Sequence, residues 1–271
     1  EIIQSFAHGH MNNVDIRQGI FHDPAKGLAV VTDRDDNSMA FYIIDENGVT
    51  PAKTPSIPAG KDIAPSDEVY GVCFYHDKEN NDLYAIPNFK SGHIFQWKLT
   101  LAPDHAITAE LARTFSVSSQ PEGMAADDEL GWIYVGEEDA AIWKFPASPD
   151  GGEGIVVDRV GGSRIPVDDI EGIAIYKTGQ QSGYIIVSAQ GIHSYVIYDR
   201  VGRNDYIDTF RILSSDSIDM VSETDGIEAM AGNFGPLFPH GVFIAMDDKD
   251  SDFNRNFKFV SWRDIEEGIR R

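Results

Sequence analysis

A weak internal repeat of about 50 residues constrains the fold of this chain more than any other feature. In four segments an acidic residue or a tyrosine precedes a glycine, and an apolar run follows; they read EVYGVCFY, PEGMAADD, IEGIAIYK and TDGIEAMA. Successive repeats lie 52, 49 and 54 residues apart, measured between Gly71, Gly123, Gly172 and Gly226. NVDIRQGIF is a weaker copy with Asp15 in the leading position. Repeats of this length with several strands each are typical of β-propeller blades.

Each copy continues into further predicted strands. Second strands read DLYAIPN, WIYVGEE, GYIIVSA and GVFIAMD, and third strands read HIFQWKL, AAIWKF and SYVIYDR. All are short, rich in β-branched and aromatic residues, and bounded by Gly, Asp, Asn or Pro. Helix signals are confined to the C-terminal SWRDIEEGIRR. We therefore predict an all-β chain in which residues 1–271 form one propeller domain, long enough for a little over five blades.

The charge of the chain limits its partners. The 44 acidic residues outnumber the 22 basic ones, which gives a formal net charge of −22. Such a chain repels nucleic acid and anionic membranes, so we expect neither as a partner. No apolar run approaches the roughly 20 residues that a membrane span needs. The charge serves either solubility and salt tolerance or the binding of cations, and oxygen-rich sites favour Ca²⁺.

Repeated acidic residues are predicted to converge at one mouth of the propeller, because equivalent positions of all blades surround a common axis. Converging carboxylates must shift their pKa values or bind cations. Turn caps or hydrogen bonds at strand ends are the alternative explanation. A loop calcium site near the C-terminus, using Asp250, Asp252, Asn254 or Asn256, is also open. The residues predicted at the mouth are Asp15, Glu68, Glu122, Glu138, Asp169, Glu171 and Asp225.

Two basic residues stand out against this acidic background. Arg34 and Lys90 each follow the second strand of a repeat, and Tyr70 replaces the leading acid of its repeat by a phenol. A guanidinium fork and an ammonium point charge both suit phosphate oxygens. The alternative is that Arg34 and Lys90 are ordinary surface charges.

With these residues assembled, the sequence resembles the β-propeller phytases, calcium-dependent enzymes of Bacillus type. This resemblance implies a six-bladed propeller that uses several Ca²⁺ ions. It also implies stepwise hydrolysis of myo-inositol hexakisphosphate (phytate), bound as its calcium complex and attacked by a calcium-bound water. The matching stretches span nearly the whole chain and read NNVDIR, DEVYG, SQPEGMAADDE, GEEDAAIWKF, DIEGIAIY, SAQGIHSYVIYDR, TDGIE and NRNFKFVSW.

The resemblance also implies roles for individual residues. Tyr70 is expected to act both in catalysis, with Glu122 and Glu138, and in substrate binding. The other expected substrate-binding residues are Arg34, Lys90 and Asn13. The expected metal ligands are Asp15, Glu122, Asp169, Glu171 and Asp225.

The sequence departs from the family at its start. Phytases of this type begin with an Asp-Asp-Pro-Ala-Ile-Trp stretch and a lysine in the next strands, whereas this chain starts just before NNVDIR. We expect an incomplete first blade, reduced activity, and either a fragment or an incomplete domain of a tandem phytase. No signal peptide is present in this chain, and the resemblance predicts a secreted or periplasmic bacterial protein.

Two other functions compete with a phytase. The first is a catalytically impaired phytase-like domain that binds phytate or calcium and assists a partner or tandem phytase. The second is a calcium-dependent lactonase or esterase propeller, which explains the acidic mouth and gives no reason for Arg34 and Lys90 beside it.

Overall fold

Five antiparallel sheets make up the described part of the chain. The computed structural model describes residues 4–20, 23–54, 56–64, 66–215, 218–248 and 255–269. Consecutive strands pair with their neighbours within each sheet, as expected for hairpin-connected strands. The all-β prediction is therefore confirmed.

The first two sheets are formed by the N-terminal part of the chain. The strands of the first sheet are β1 (Met11–Gln18), β2 (Gly27–Asp33), β3 (Ser38–Asp45), β4 (Gly48–Pro51) and β5 (Ile57–Pro58). They pair in the order β1-β2-β3-β4, and β5 also pairs with β3. The second sheet contains β6 (Val69–Asp77), β7 (Asp82–Phe89), β8 (His93–Leu101) and β9 (Ile107–Ser116).

The remaining three sheets contain eleven strands. The third sheet contains β10 (Pro121–Asp127), β11 (Trp132–Glu137), β12 (Ala141–Pro146) and β13 (Ile155–Arg159). The fourth contains β14 (Ile170–Gly179), β15 (Ser182–Ala189), β16 (Ser194–Asp199) and β17 (Tyr206–Phe210). The fifth contains β18 (Ile227–Ala231), β19 (Gly241–Asp247) and β20 (Asn256–Ser261), and the helix α1 (Trp262–Ile269) follows it.

The chain divides into two compact units whose boundary passes through the third sheet. One unit contains Glu1–Glu122, Gly131–Ile133 and Pro146–Glu153, and the other contains the rest. The boundary falls inside β10, directly after Glu122, so this strand runs from one unit into the other. A single domain over residues 1–271 stays a prediction.

Each unit has its own apolar core. In the first unit, the inward residues of β2 and β3, such as Leu28 and Phe41, pack with Phe74 of β6 and Phe89 of β7. In the second unit, Trp262 at the start of α1 stacks on the Tyr176 ring at a centroid distance of 3.7 Å. Tyr176 lies on β14, so the short helix closes the core beneath the fourth and fifth sheets.

The sheet count differs from the expectation. Six blades and an incomplete first blade are not confirmed, because the described residues form five sheets and the first of them has five strands. The fifth sheet has the fewest strands, three. Within the described ranges, no helix combines the length and the apolar character that crossing a membrane requires.

A buried ion pair ties two sheets of the second unit together. The side chains of Arg200 and Asp127 are both fully buried, and Arg200 donates two hydrogen bonds to Asp127, of 2.6 and 2.7 Å. Burial alone would raise the pKa of Asp127, but the bonds from Arg200 outweigh it and hold this pKa below its usual value. Asp127 is therefore an anion that depends on Arg200.

Replacing Arg200 by methionine should destabilise the fold strongly. The variant keeps much of the side-chain volume but leaves the Asp127 carboxylate buried without its counter-ion, which costs about 3–5 kcal/mol. Urea unfolding of the full chain measures the loss. The matched control is Arg263→Met, because Arg263 pairs with Asp264 on the surface of α1, and such pairs contribute at most about 1 kcal/mol. Equal losses in the two variants would contradict the prediction.

Candidate functional site

Three of the repeated glycines allow the first strand of one sheet to approach the start of the next sheet closely. A Cβ atom added to any of the three would collide with a backbone carbonyl oxygen of the leading acid in the following repeat. The distances would be 1.9 Å from Gly71 to Glu122, 2.1 Å from Gly123 to Glu171 and 2.5 Å from Gly172 to Asp225. Only glycine fits such an approach. The glycine of one repeat therefore positions the acid of the next.

A buried amide completes this contact in the first unit. Asn88 lies fully buried on β7. Its Oδ1 accepts a 2.8 Å hydrogen bond from the Gly71 N–H, and its Nδ2 donates one of 2.9 Å to the Glu122 carbonyl. Asn88 was not predicted from the sequence, although a polar residue inside the apolar strand DLYAIPNF is a usable signal for a buried hydrogen-bonding role.

Three glutamate side chains form a cluster that we call the carboxylate triad: Glu122, Glu138 and Glu171. One carboxylate oxygen of each lies within 4.8 Å of the other two. Glu122 and Glu171 are buried, each with 5% of its surface exposed, and Glu138 is half-buried. The carbonyl of Glu138 accepts hydrogen bonds from the N–H groups of Asp169 and Ile170, at 2.9 and 3.1 Å. These bonds hold Glu138 against the strand that carries Glu171.

The triad has the chemistry of a site for a hard divalent cation. Three negative charges at this distance, two of them shielded from water, repel one another unless a cation or protons offset them. Calcium binds oxygen ligands at 2.3–2.6 Å, so ligands on opposite sides of the ion are about 5 Å apart. Oxygens within 4.8 Å of one another therefore fit around one calcium ion. An all-carboxylate donor set also favours Ca²⁺ over zinc or copper.

Asp169 and Asp225 lie on the loops next to the triad, outside it. Asp169 has a φ of 89°, a conformation that is strained for a residue other than glycine. Its carbonyl accepts a 2.9 Å hydrogen bond from the N–H of Gln190, and the Gln190 side chain donates one of 2.7 Å to Asp225 Oδ1. Gln190, which the sequence analysis missed, thus links the two loops. The roles of Asp169 and Asp225 as metal ligands stay predictions.

A second group, the Arg34–Lys90 cluster, consists of Arg34, Glu68, Tyr70 and Lys90. Glu68 Oε2 lies 2.7 Å from Arg34 Nη2 and 2.8 Å from Lys90 Nζ. Both cations also lie over the Tyr70 ring, with Arg34 Cζ 5.3 Å and Lys90 Nζ 4.6 Å from its centroid. The hydrogen bond from Arg34, followed by that from Lys90, lowers the pKa of Glu68 to about 2. Glu68 is therefore an anion at neutral pH.

One backbone position carries a charged or amide side chain of the two clusters or their neighbouring loops in four successive sheets. It is the residue directly after the second strand of each sheet, where the chain turns towards the third strand. The strands β2, β7, β11 and β15 end at Asp33, Phe89, Glu137 and Ala189, and the next residues are Arg34, Lys90, Glu138 and Gln190. The position was recognised in the sequence for all of these except Gln190.

The structure does not bring Asp15 to the triad. A register shift precedes Val14 in β1 just as one precedes Val72 in β6. Tyr70 lies two residues before Val72, so the equivalent residue of β1 is Asn12, and Asp15 lies three residues further on. An alignment of the two segments by residue type alone conceals this shift. The metal role of Asp15 stays a prediction.

The described contacts of Asp15 and Asn13 are within the first unit. Both carboxylate oxygens of Asp15 lie 2.9 Å from Arg17 Nη1, and Asp15 Oδ2 accepts a 2.7 Å hydrogen bond from the Phe74 N–H. Asn13 Oδ1 accepts a 2.9 Å hydrogen bond from Asn12, whose amide also donates to the Tyr70 carbonyl. Asn13 therefore lies near the Arg34–Lys90 cluster, and its role in substrate binding stays a prediction.

The predicted loop calcium site cannot be followed in full. Asp250, Asp252 and Asn254 lie outside the described residues. Asn256 begins β20, and its side-chain oxygen accepts a 2.9 Å hydrogen bond from Lys258.

Comparisons with known proteins agree with this geometry. The family model described as Phytase matches residues 1–270. The chain is 38% identical over 276 residues to a 3-phytase of Bacillus subtilis (strain 168), an alignment that covers 97% of this chain and 70% of that protein.

Solved structures show a similar fold at low sequence identity. A putative exo-beta-1,3-galactanase from Bifidobacterium bifidum s17 has a TM-score of 0.60 at 11% identity, covering 93% of this chain and 87% of its own. The beta-propeller domain of Myceliophteria thermophila Cps50 (Swd1) has a TM-score of 0.51 at 12% identity, covering 88% and 67%. These matches bear on the fold alone, and they confirm that the five sheets are propeller blades.

Proposed function

This chain belongs to the phytase family, whose model matches residues 1–270, and on that premise we propose that it is a calcium-dependent phytase. As a phosphoric monoester hydrolase, it removes phosphate from myo-inositol hexakisphosphate and leaves lower inositol phosphates. The carboxylate triad is the observation that carries the calcium dependence, because three carboxylates within 4.8 Å need a cation between them. We extend the cation-binding set to Asp169, Asp225 and Asp15 as further ligands.

The Arg34–Lys90 cluster supports the choice of a phosphate ester as substrate. Arg34 and Lys90 carry positive charges within reach of one oxygen position. Negative charge on Glu122, a member of the triad, raises the pKa of Arg34 after the larger effect of Glu68. This coupling means that a cation-binding carboxylate and a phosphate-binding guanidinium belong to one electrostatic environment.

The residues of the chain divide the reaction between them. Arg34 and Lys90 bind the oxygens of the phosphoryl group and stabilise the charge that spreads over them in the transition state. Tyr70 keeps the two cations in place with its ring. Glu138, the most exposed member of the triad, accepts a proton from the attacking water as the water oxygen bonds to phosphorus and the P–O ester bond breaks, and that proton then passes to the departing inositol oxygen. Glu122 orients Glu138 and the bound cation.

Calcium supplies the positive charge that the protein lacks. A chain of net charge −22 repels the phytate polyanion, and calcium held by the triad would offset the negative charge there and polarise phosphoryl oxygens and water. The calcium–phytate complex is therefore the preferred substrate, and a secreted or periplasmic location gives access to millimolar calcium.

Removal of calcium should abolish phosphate release. We expect excess EGTA to lower the rate of orthophosphate release from phytate at least ~100-fold, since no cation then offsets the triad. Adding back Ca²⁺ should restore the rate, and adding back Mg²⁺ should restore much less, because Mg²⁺ demands a tighter octahedral site. A rate that is unaffected by EGTA would refute the proposal.

The same assay decides between the proposal and its alternative. Calorimetry with phytate and Ca²⁺ is run beside the rate measurement. Binding of phytate without release of phosphate would favour a catalytically impaired domain that assists a partner or tandem phytase. Mixing the chain with an active phytase would then accelerate phosphate release beyond the sum of the two.

A further inference from the structure

Glu68 is an acid that lies between two cationic side chains. One of its two carboxylate oxygens, Oε2, lies between the guanidinium of Arg34 and the ammonium of Lys90, at 2.7 and 2.8 Å. An oxygen that accepts hydrogen bonds from both cations is in the place that a phosphate oxygen would take. The carboxylate therefore competes with the substrate for the cations that the proposed function assigns to phosphate binding.

The backbone around Glu68 is fixed to the turn that carries Arg34. Asn37, in the turn between β2 and β3, donates a 2.9 Å hydrogen bond from its side chain to the Asp67 carbonyl and accepts one of 2.8 Å from the Val69 N–H. Asn37 has a positive φ of 57°, which this turn permits for asparagine. The residues on both sides of Glu68 are thereby anchored to the first sheet.

The same backbone is fixed to the turn that carries Lys90. The N–H of Lys90 donates a 3.0 Å hydrogen bond to the Glu68 carbonyl, and the N–H of Ser91 donates one of 3.1 Å to Asp67 Oδ1. The Ser91 hydroxyl also donates to Asp67 Oδ2. These contacts set the spacing of the two cation-bearing turns without help from the Glu68 side chain. The Glu68 carboxylate, 34% exposed, is thus free to swing away while the turns stay in place.

The guanidinium of Arg34 retains unused hydrogen-bonding capacity. Its Nε atom is buried and has no hydrogen-bond partner in the described part of the chain, whereas Nη2 is bound to Glu68. A buried donor without an acceptor is costly. A phosphate group has several acceptor oxygens and can engage the planar fork at two points, which the single Glu68 oxygen does not do.

From this geometry we propose that Glu68 is a built-in competitor: its carboxylate holds Arg34 and Lys90 together in the free enzyme and is displaced when a phosphate group of the substrate binds. The inference rests on the proposed function and adds a residue that tunes substrate affinity. Glu68 is thus a specificity-determining residue, because only a ligand more strongly anionic than a carboxylate displaces it.

Replacing Glu68 by glutamine tests the proposal. The amide has nearly the same shape but no charge, so phosphate no longer competes with an anion. We expect the KM for calcium phytate, and the inhibition constant of sulfate as a tetrahedral dianion probe, to fall about 3–10-fold, as for the loss of one close like charge at a partly exposed site. The kcat should change less than about twofold, since the competitor has left before the chemical step.

The matched control is Asp82→Asn. Asp82 forms a 2.6 Å ion pair with Lys98 on the neighbouring strand of the same unit, and it is not a member of the Arg34–Lys90 cluster. This variant should leave KM and the sulfate inhibition constant unchanged. A Glu68→Gln variant with unchanged or raised constants would overturn the proposal, because Glu68 would then be either irrelevant or a scaffold for the cations.

The failure of this inference is distinguishable from the failure of the proposed function. If the wild-type chain releases no phosphate from phytate, the proposed function fails. Calorimetric titration of sulfate into the wild-type, Glu68→Gln and Asp82→Asn proteins still tests the competition. Tighter sulfate binding by Glu68→Gln alone supports it, and equal binding by all three proteins overturns it. Thermal melting of the variants confirms that each is folded.

Discussion

A Glu171→Gln enzyme is expected to release phosphate from phytate at least ~100-fold more slowly than the wild type at limiting Ca²⁺. Glu171 is a buried member of the carboxylate triad, with 5% of its surface exposed and a carboxylate oxygen within 4.8 Å of the other two. The substitution keeps the shape of the side chain and removes one of three charges. The calcium concentration that gives half-maximal activity should rise, because affinity for calcium follows the charge of its ligands.

A surface glutamate provides the control for this experiment. Glu110 lies exposed on β9, a strand that carries no member of the triad, and Glu110→Gln removes the same charge. Its activity and calcium dependence should match those of the wild type. If Glu171→Gln retains the wild-type calcium response, the triad does not hold the catalytic cation and the calcium proposal fails.

Gly123→Ala is expected to disable the same site without touching a carboxylate. The added Cβ would lie 2.1 Å from the Glu171 carbonyl oxygen, a backbone atom that cannot move without moving β14. We expect a loss of about 3 kcal/mol in the free energy of unfolding, as for severe overpacking. The increase in melting temperature that calcium produces in the wild type should also disappear, because binding to the folded state stabilises it only while the site is intact.

The repeat itself supplies the control for Gly123→Ala. Gly226 is the equivalent glycine of the last repeat, and a Cβ there would meet no atom of the described residues within 4 Å. Gly226→Ala should therefore retain the stability and the calcium-induced shift of the wild type. Equal damage in both variants would mean that glycine is needed for backbone flexibility, and would contradict the close-approach explanation.

Much of the site could be predicted from the sequence because the fold repeats. Equivalent residues of successive blades occupy equivalent positions, so the spacing of the glycines was enough to identify the leading acids. The same logic connected Arg34, Lys90 and Glu138 as residues that follow a second strand. Short runs rich in β-branched and aromatic residues, bounded by turn residues, were enough to predict an all-β chain.

Other features depend on contacts that no local pattern reports. The register shift that β1 shares with β6 aligns Asn12 with Tyr70 and leaves Asp15 three residues past the leading position, and such shifts are not visible in a sequence aligned by residue type. Glu68 was placed at the mouth as one more acid, whereas its charge is bound by Arg34 and Lys90. Which three acids come within 4.8 Å depends on contacts between separate strands, such as the close approach of Gly123 to Glu171, that no single segment of the sequence reports. The expected sixth blade came from the resemblance, since the repeat length alone indicated little more than five.

The residues that directly follow the second strands occupy one backbone position that carries side chains of different charge. Arg34, Lys90, Glu138 and Gln190 present two cations, one anion and one neutral amide from the same backbone location. Each of these side chains therefore adds its own charge, or none, at the end of a second strand without taking part in the strand pairing that supports it. Substitutions at this position can change the charge of one sheet at a time, so related propellers can acquire new ionic substrates with few substitutions.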